Sequence, residues 1–121
     1  SPTNNFCTLN PVDNSADPTE AISEGNLKDV CGTNYDTVRS TFYLTSGKWY
    51  WECLAVAVGS PQYGVATSSY QSGVGRRACY NYDGNKYQAG ASDGSYGATF
   101  TNGDIIGSIR FNSRYDYLLQ K

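Results

Sequence analysis

The chain of 121 residues contains no histidine and no methionine, and only four prolines and four cysteines. Without histidine it lacks both the side chain that titrates near neutral pH and the commonest transition-metal ligand. A serine or cysteine nucleophile needs a neighbouring base, and the lysines Lys28, Lys48, Lys86 and Lys121 lie in no recognisable nucleophile motif. Charge is also scarce, with 17% Asp, Glu, Lys and Arg, against about 25% in ordinary soluble domains. The balance of 9 cations against 11 anions is weakly acidic, which argues against a binder driven by nucleic-acid phosphates. No apolar run approaches the length of about 18 residues needed to span a bilayer, and no signal-peptide pattern is present. The missing methionine extends to position 1. Removal of an initiator ahead of Ser1 and excision of a mature fragment both fit.

The four cysteines, Cys7, Cys31, Cys53 and Cys79, are too widely spaced for a CxxC redox site or a zinc knuckle. Sequence leaves their pairing open. Cys53 lies in an apolar run, where a thiol packs as a small hydrophobe, and free thiols are the expectation.

Glycine, tyrosine and small polar residues replace the missing charge: 13 Gly, 11 Tyr and 14% aromatic residues in all. The length fits one domain with one core. A polar but weakly charged surface can rest against another protein without a large ionic desolvation cost.

Three of the four prolines, Pro2, Pro11 and Pro18, fall in residues 1–26. Each fixes φ and lacks a donor, so this segment reads as an irregular arm anchored by Phe6 and Leu9. Within it, DPTEAISEG fits one helical turn, capped by Asp17 and ended by Gly25.

From residue 27 to 109 the apolar period is two. Val38–Leu44 and Trp49–Val58 alternate, and the Ser46-Gly47 turn predicts a hairpin between them. Both faces of the second strand are apolar beyond Glu52, as in a strand covered on both sides. Asp83-Gly84 predicts a tight type I′ hairpin, and TNGD a turn into IIGSIRF. The expected class is an all-β antiparallel sandwich or closely related curled sheet.

These phrases resemble a known family. SGKWYWE (46–52), YGVATSS (63–69), DGNKY (83–87) and YGATFTNGDIIG (96–107) occur in the order and rough spacing of the SPRY domain. CTLNP (7–11) and EGNLK (24–28) are similar to SPRY-like modules of phage and viral structural proteins. The similarity covers residues 5–109, and its specificity comes from SGKWYWE and TNGDIIG together. It implies a bent two-sheet sandwich whose loops bind proteins, with no cofactor, no catalysis and a place in a virion. The sequence departs from the family at 110–121. Arg110 and Phe111 stand where Leu-Asp is usual, and RFNSRYDYLLQK ends where further strands are expected. The tail therefore reads as divergent and lacking the closing strands, with Tyr115, Tyr117, Leu118 and Leu119 offered to an interface.

In phase with Cys53, Trp49 and Trp51 belong to the core with Phe42. Glu52 is expected as a structural carboxylate partnered by a group such as Arg39. Asp13, Asp17, Asp83, Asp93 and Asp104 sit beside turn formers and form no recognisable pair for glycoside hydrolysis. NYDGNKY lacks the alternating oxygens and closing Glu of a calcium loop, and no phosphate-cradle motif occurs. The candidate recognition set is Tyr63, Tyr70, Tyr80, Tyr82, Tyr87 and Tyr96 with the pair Arg76-Arg77. Tyrosine buries much area at low entropy cost, and the same residues also serve as core filler. The expected function is a non-catalytic component of a phage or virus particle acting through protein contacts, with virion proteins or copies of itself as partners. The alternatives are a receptor- or glycan-binding head and a SPRY-type peptide adaptor.

Overall fold

The computed structural model describes residues 5–14, 21–30, 37–57, 59–67, 77–88, 91–111 and 116–120. Residues 14, 109–111 and 116–120 are described by their backbone alone. Every regular element among them is a β-strand, and every pairing is antiparallel. The class is all-β and sandwich-like, as the alternation predicts. The chain groups into two compact units, Ser1–Tyr43 with Gln71–Gly73, and Leu44–Tyr70 with Val74–Lys121.

In the first unit, β1 (Leu9–Asn14) pairs with β4 (Val38–Ser40), and β2 (Ala21–Ser23) pairs with β3 (Lys28–Val30). The arm is thus not wholly irregular. Its β1–β4 register shifts between Leu9 and Asn14, next to the Pro11 that has no N–H to give. A bidentate ion pair, Arg39 to Asp13, ties the two strands, with Arg39 Nε 2.9 Å from Asp13 Oδ2. The Tyr43 hydroxyl donates to the same carboxylate at 3.3 Å. The helical turn expected over 17–25 is replaced, at 21–23, by strand. Its C-terminal part, Glu24, Gly25 and Asn26, turns the chain with φ of 54°, 67° and 64°.

The second unit holds two sheets. One has the order β11-β10-β5, built from β5 (Trp49–Leu54), β10 (Ile105–Phe111) and β11 (Asp116–Gln120). The other runs β6-β7-β8-β9, from β6 (Gln62–Ala66), β7 (Arg77–Asn81), β8 (Asn85–Gln88) and β9 (Ala91–Ser95). Ile106 from the first sheet with Ala55 just after β5, Tyr80 from the second sheet and Phe100 from the loop before β10 form the buried cluster, with Tyr63 and Tyr82 packed against it. Aromatic rings supply most of that volume: Tyr80 and Phe100 lie 5.5 Å apart, Tyr63 and Phe100 5.6 Å.

Three expectations change here. The hairpin across Ser46-Gly47 does not form, because β4 pairs with β1 while β5 pairs with β10. The β7–β8 loop is a three-residue turn, Tyr82–Gly84, in which the Gly84 N–H reaches Asn81 O at 3.0 Å and Gly84 alone takes positive φ, at +85°. That is the type I turn with a left-handed closing glycine, not type I′. Finally, the segment read as a tail is sheet: Arg110 and Phe111 complete β10, and β11 pairs with it from Gly107↔Gln120 to Phe111↔Asp116. Residue 26 falls in the turn of the β2–β3 hairpin, and β10 runs on past residue 109.

Candidate functional site

The tyrosine set does not assemble into one recognition surface. Tyr80 is 2% exposed, and its hydroxyl donates to Ala98 O. Tyr63 stands opposite Tyr80 in the β6–β7 ladder and shares its inward face. Tyr82 packs against the same cluster. Tyr87 lies on the other face of that sheet, where the Arg77 guanidinium sits 5.8 Å from its ring. Tyr96 meets Tyr80 edge-on at 5.7 Å and keeps its outer side exposed. Tyr70 and Arg76 lie outside the described residues, as do Cys31 and Tyr115.

The expected core residues divide as well. Trp51, Cys53 and Phe42 are half-buried, and Trp49, at the start of β5, is exposed with its indole N–H on Ser46 O at 2.7 Å. Glu52 is not a buried carboxylate. It is exposed and accepts the Tyr50 hydroxyl, while Arg39 forms its bidentate ion pair with Asp13. Phe6 does not anchor the arm among the described residues, since it is 77% exposed. Leu9 is half-buried, and its N–H donates to Asn26 O at 2.8 Å. Tyr117, Leu118 and Leu119 occupy β11, opposite Arg110, Ile109 and Ser108.

The feature that sequence reasoning missed is the outer face of β5 and β10. Trp51, Cys53 and Ala55 turn inward, so Tyr50, Glu52 and Leu54 turn outward. Leu54 stands opposite Ile105, and Glu52 opposite Gly107. Tyr50 is 61% exposed, Leu54 58%, Val56 58% and Ile105 52%. The alternation was visible in the sequence, but both faces read as covered. The structure leaves this one open.

Electrostatics there centre on one pair. The hydrogen bond to Glu52 holds the Tyr50 phenol above its ordinary range, helped by desolvation and by the Glu52 charge. Elsewhere, burial pushes the Cys53 and Cys79 thiols up, with Arg77 opposing the effect at Cys79. Cys7, Cys53 and Cys79 are free thiols, Cys7 being exposed. The Asn85 N–H, donated at 3.0 Å, holds the Asp83 carboxyl below its usual range. This is the ordinary chemistry of a turn aspartate. Among the described residues no three Cys, Asp or Glu side chains gather in a way that would hold a metal ion, and no helix is long and apolar enough to cross a membrane.

A scan against protein-family models finds no match, and no solved structure matches the chain.

Proposed function

We propose that the protein is a non-catalytic β-sandwich module that works by protein–protein contact, as a structural or decorating component of a phage or virus particle. The observation that carries the contact reading is the outer sheet face of Tyr50, Leu54 and Ile105, each more than half exposed, with the exposed Val56 just beyond the end of β5. Single exposed apolar residues are ordinary. Here two of them are direct register partners, Leu54 and Ile105, and contiguous apolar surface of this kind marks interaction sites. The low charge of the chain keeps the cost of covering that face small.

The particle assignment rests on the resemblance of SGKWYWE and TNGDIIG, with CTLNP and EGNLK, to SPRY-like virion modules. In a particle, symmetry repeats a weak contact many times, so modest single affinities add up to firm attachment. The glycan-head alternative needs a tyrosine-lined recess, and the inward packing of Tyr63, Tyr80 and Tyr82 leaves Tyr87 and Tyr96 as the described members of the set that could line it.

The test is gradient sedimentation of particles from the cells that make this protein. The wild type is expected to travel with the particle, and Leu54→Glu or Ile105→Glu to remain in the free fraction while folding normally by circular dichroism. Wild-type protein found only in the free fraction refutes the reading.

A further inference from the structure

The two sheets of the second unit treat their borders differently. β9, at the edge of the four-stranded sheet, is fully exposed and polar, with the sequence ASDGS. Its register shifts between Asn85 and Tyr87, Gly94 sits at φ +86°, and Asp93 pairs with Lys86 at 3.2 Å. Bulges, charges and polar side chains of this kind discourage a further strand from adding. β5 has none of these devices. It runs WYWECL without proline or glycine, in unbroken register with β10, and among the described residues no strand pairs with its other side.

The direction of its free groups can be read from its end. The Ala55 N–H donates to Asp104 O at 3.0 Å and its carbonyl accepts the Gly103 N–H at 2.7 Å, so Ala55 faces the β10 side. Antiparallel ladders alternate. Trp49, Trp51 and Cys53 therefore bond to β10, and Tyr50, Glu52 and Leu54 turn their N–H and C=O groups to the border on which no described strand pairs.

Resting on the contact reading above, we propose that this border pairs with β5 of a second copy, antiparallel about a two-fold axis through Tyr50, joining two three-stranded sheets into one of six strands. Charge selects the register. Centring on Tyr50 sets Lys48 opposite Glu52 of the second copy, twice by symmetry, and Trp49 opposite Trp51 of the second copy, with the two tyrosines on the axis. Opposite charges and aromatic pairs are the cross-strand neighbours that stabilise sheets. Sliding the centre to Glu52 sets the two carboxylates face to face. Sliding it to Trp51 sets Lys48 against Leu54. Glu52 takes part in no ion pair among the described residues, so the pairing supplies one. It also joins the exposed Tyr50–Leu54–Ile105 faces of both copies into a continuous surface.

Sedimentation equilibrium over a wide concentration range, with amide hydrogen exchange read in parallel, tests the proposal. The wild type is expected to dimerise, and the amides of Tyr50, Glu52 and Leu54 to gain protection as concentration rises, whereas Trp51 and Cys53 are protected throughout. Glu52→Lys and Lys48→Glu should each weaken the dimer on the order of ten-fold, since each places like charges opposite one another twice. Combined, K48E and E52K should restore it. A protein that stays monomeric, or a dimer indifferent to these charges and without protection at Tyr50 and Glu52, overturns the proposal. A monomer that still travels with particles ends this inference alone. A β5-paired dimer that never does ends the particle reading instead.

Discussion

Phe100 offers the sharpest test of where the stability of the second unit resides. It is 1% exposed, its ring meets Tyr63 at 5.6 Å and Tyr80 at 5.5 Å, and its N–H donates to Tyr82 O at 3.1 Å. Replacing it by alanine keeps the backbone bond and removes the ring from between the two tyrosines. A buried Phe→Ala change costs about 3–5 kcal/mol, because the transfer term and the cavity term add. Domains have only about 5–15 kcal/mol in total. The variant should therefore lose about a fifth or more of its stability, and its melting temperature should fall by about 12 °C or more at about 4–8 °C per kcal/mol. Urea unfolding followed by tryptophan fluorescence reads this directly, since both tryptophans lie in β5 of the same unit. Val12→Ala, at a site 90% exposed, is the control and should stay within about 0.5 kcal/mol of wild type. If Phe100→Ala behaves like that control, the aromatic cluster is not the core.

Gly64 lies so close to β7 that an added Cβ would press on Ala78 O and come within 2.6 Å of the Cys79 Cα. Because these are backbone atoms that cannot swing away, Gly64→Ala should cost about 1–3 kcal/mol or more in the same unfolding assay. The Asp83 pKa is lowered on folding, so its contribution is present above the ordinary carboxyl value near 3.9 and is lost as pH falls through the folded value. Asp83→Ala should remove that part of the acid dependence of stability, measured by melting at stepped low pH. Tyr50 runs the other way. Its raised pKa contributes stability below the ordinary value near 10, lost as pH rises through the folded value, and an ultraviolet phenolate titration should show Tyr50→Phe removing a late-titrating tyrosine. Alkylation should label Cys7 well before Cys53 and Cys79, whose thiols burial holds protonated.

What the sequence disclosed was local. Alternation placed β5 and β10, and turn chemistry placed the TNGD turn and the β7–β8 hairpin, because period and glycine position act within a few residues. Choice of partner is not local. Val38–Leu44 and Trp49–Leu54 sit next to each other along the chain with a glycine between them, yet β4 joins β1 and β5 joins β10. Nothing in the loop between them encodes that preference. The helical turn expected over 17–25 gives way, in its described part at 21–25, for a related reason. A single turn is a costly nucleus with little to hold it, and residues 24–26 gain more by closing the β2–β3 hairpin, with the Leu27 N–H on Ser23 O at 3.1 Å. The candidate site was half legible. The even-numbered face of β5 could be read from its period, but whether anything covers it depends on sheets that only the fold assembles.

The tyrosines show why composition pointed toward recognition and the structure toward packing. A chain of 121 residues with four phenylalanines and two tryptophans must fill part of its interior with tyrosine, and a buried phenol needs an acceptor for its hydroxyl. Tyr80 finds one in Ala98 O, which draws the 96–98 segment over its ring. Space there is so short that a Cβ on Gly97 would lie 2.8 Å from the Tyr80 hydroxyl, and one on Gly84 would strike Gly97 O. The Gly84 carbonyl in turn accepts the N–H groups of Tyr96 and Gly97, at 2.9 and 3.0 Å. The Tyr80 phenol and the Gly84 carbonyl together thus fasten β7 and the β7–β8 turn to the loop that leads into Phe100. Loops held this way have little freedom to mould themselves to a partner. Adaptable contact is left to surfaces that need no rearrangement, such as the ready-made sheet face of Tyr50, Leu54 and Ile105.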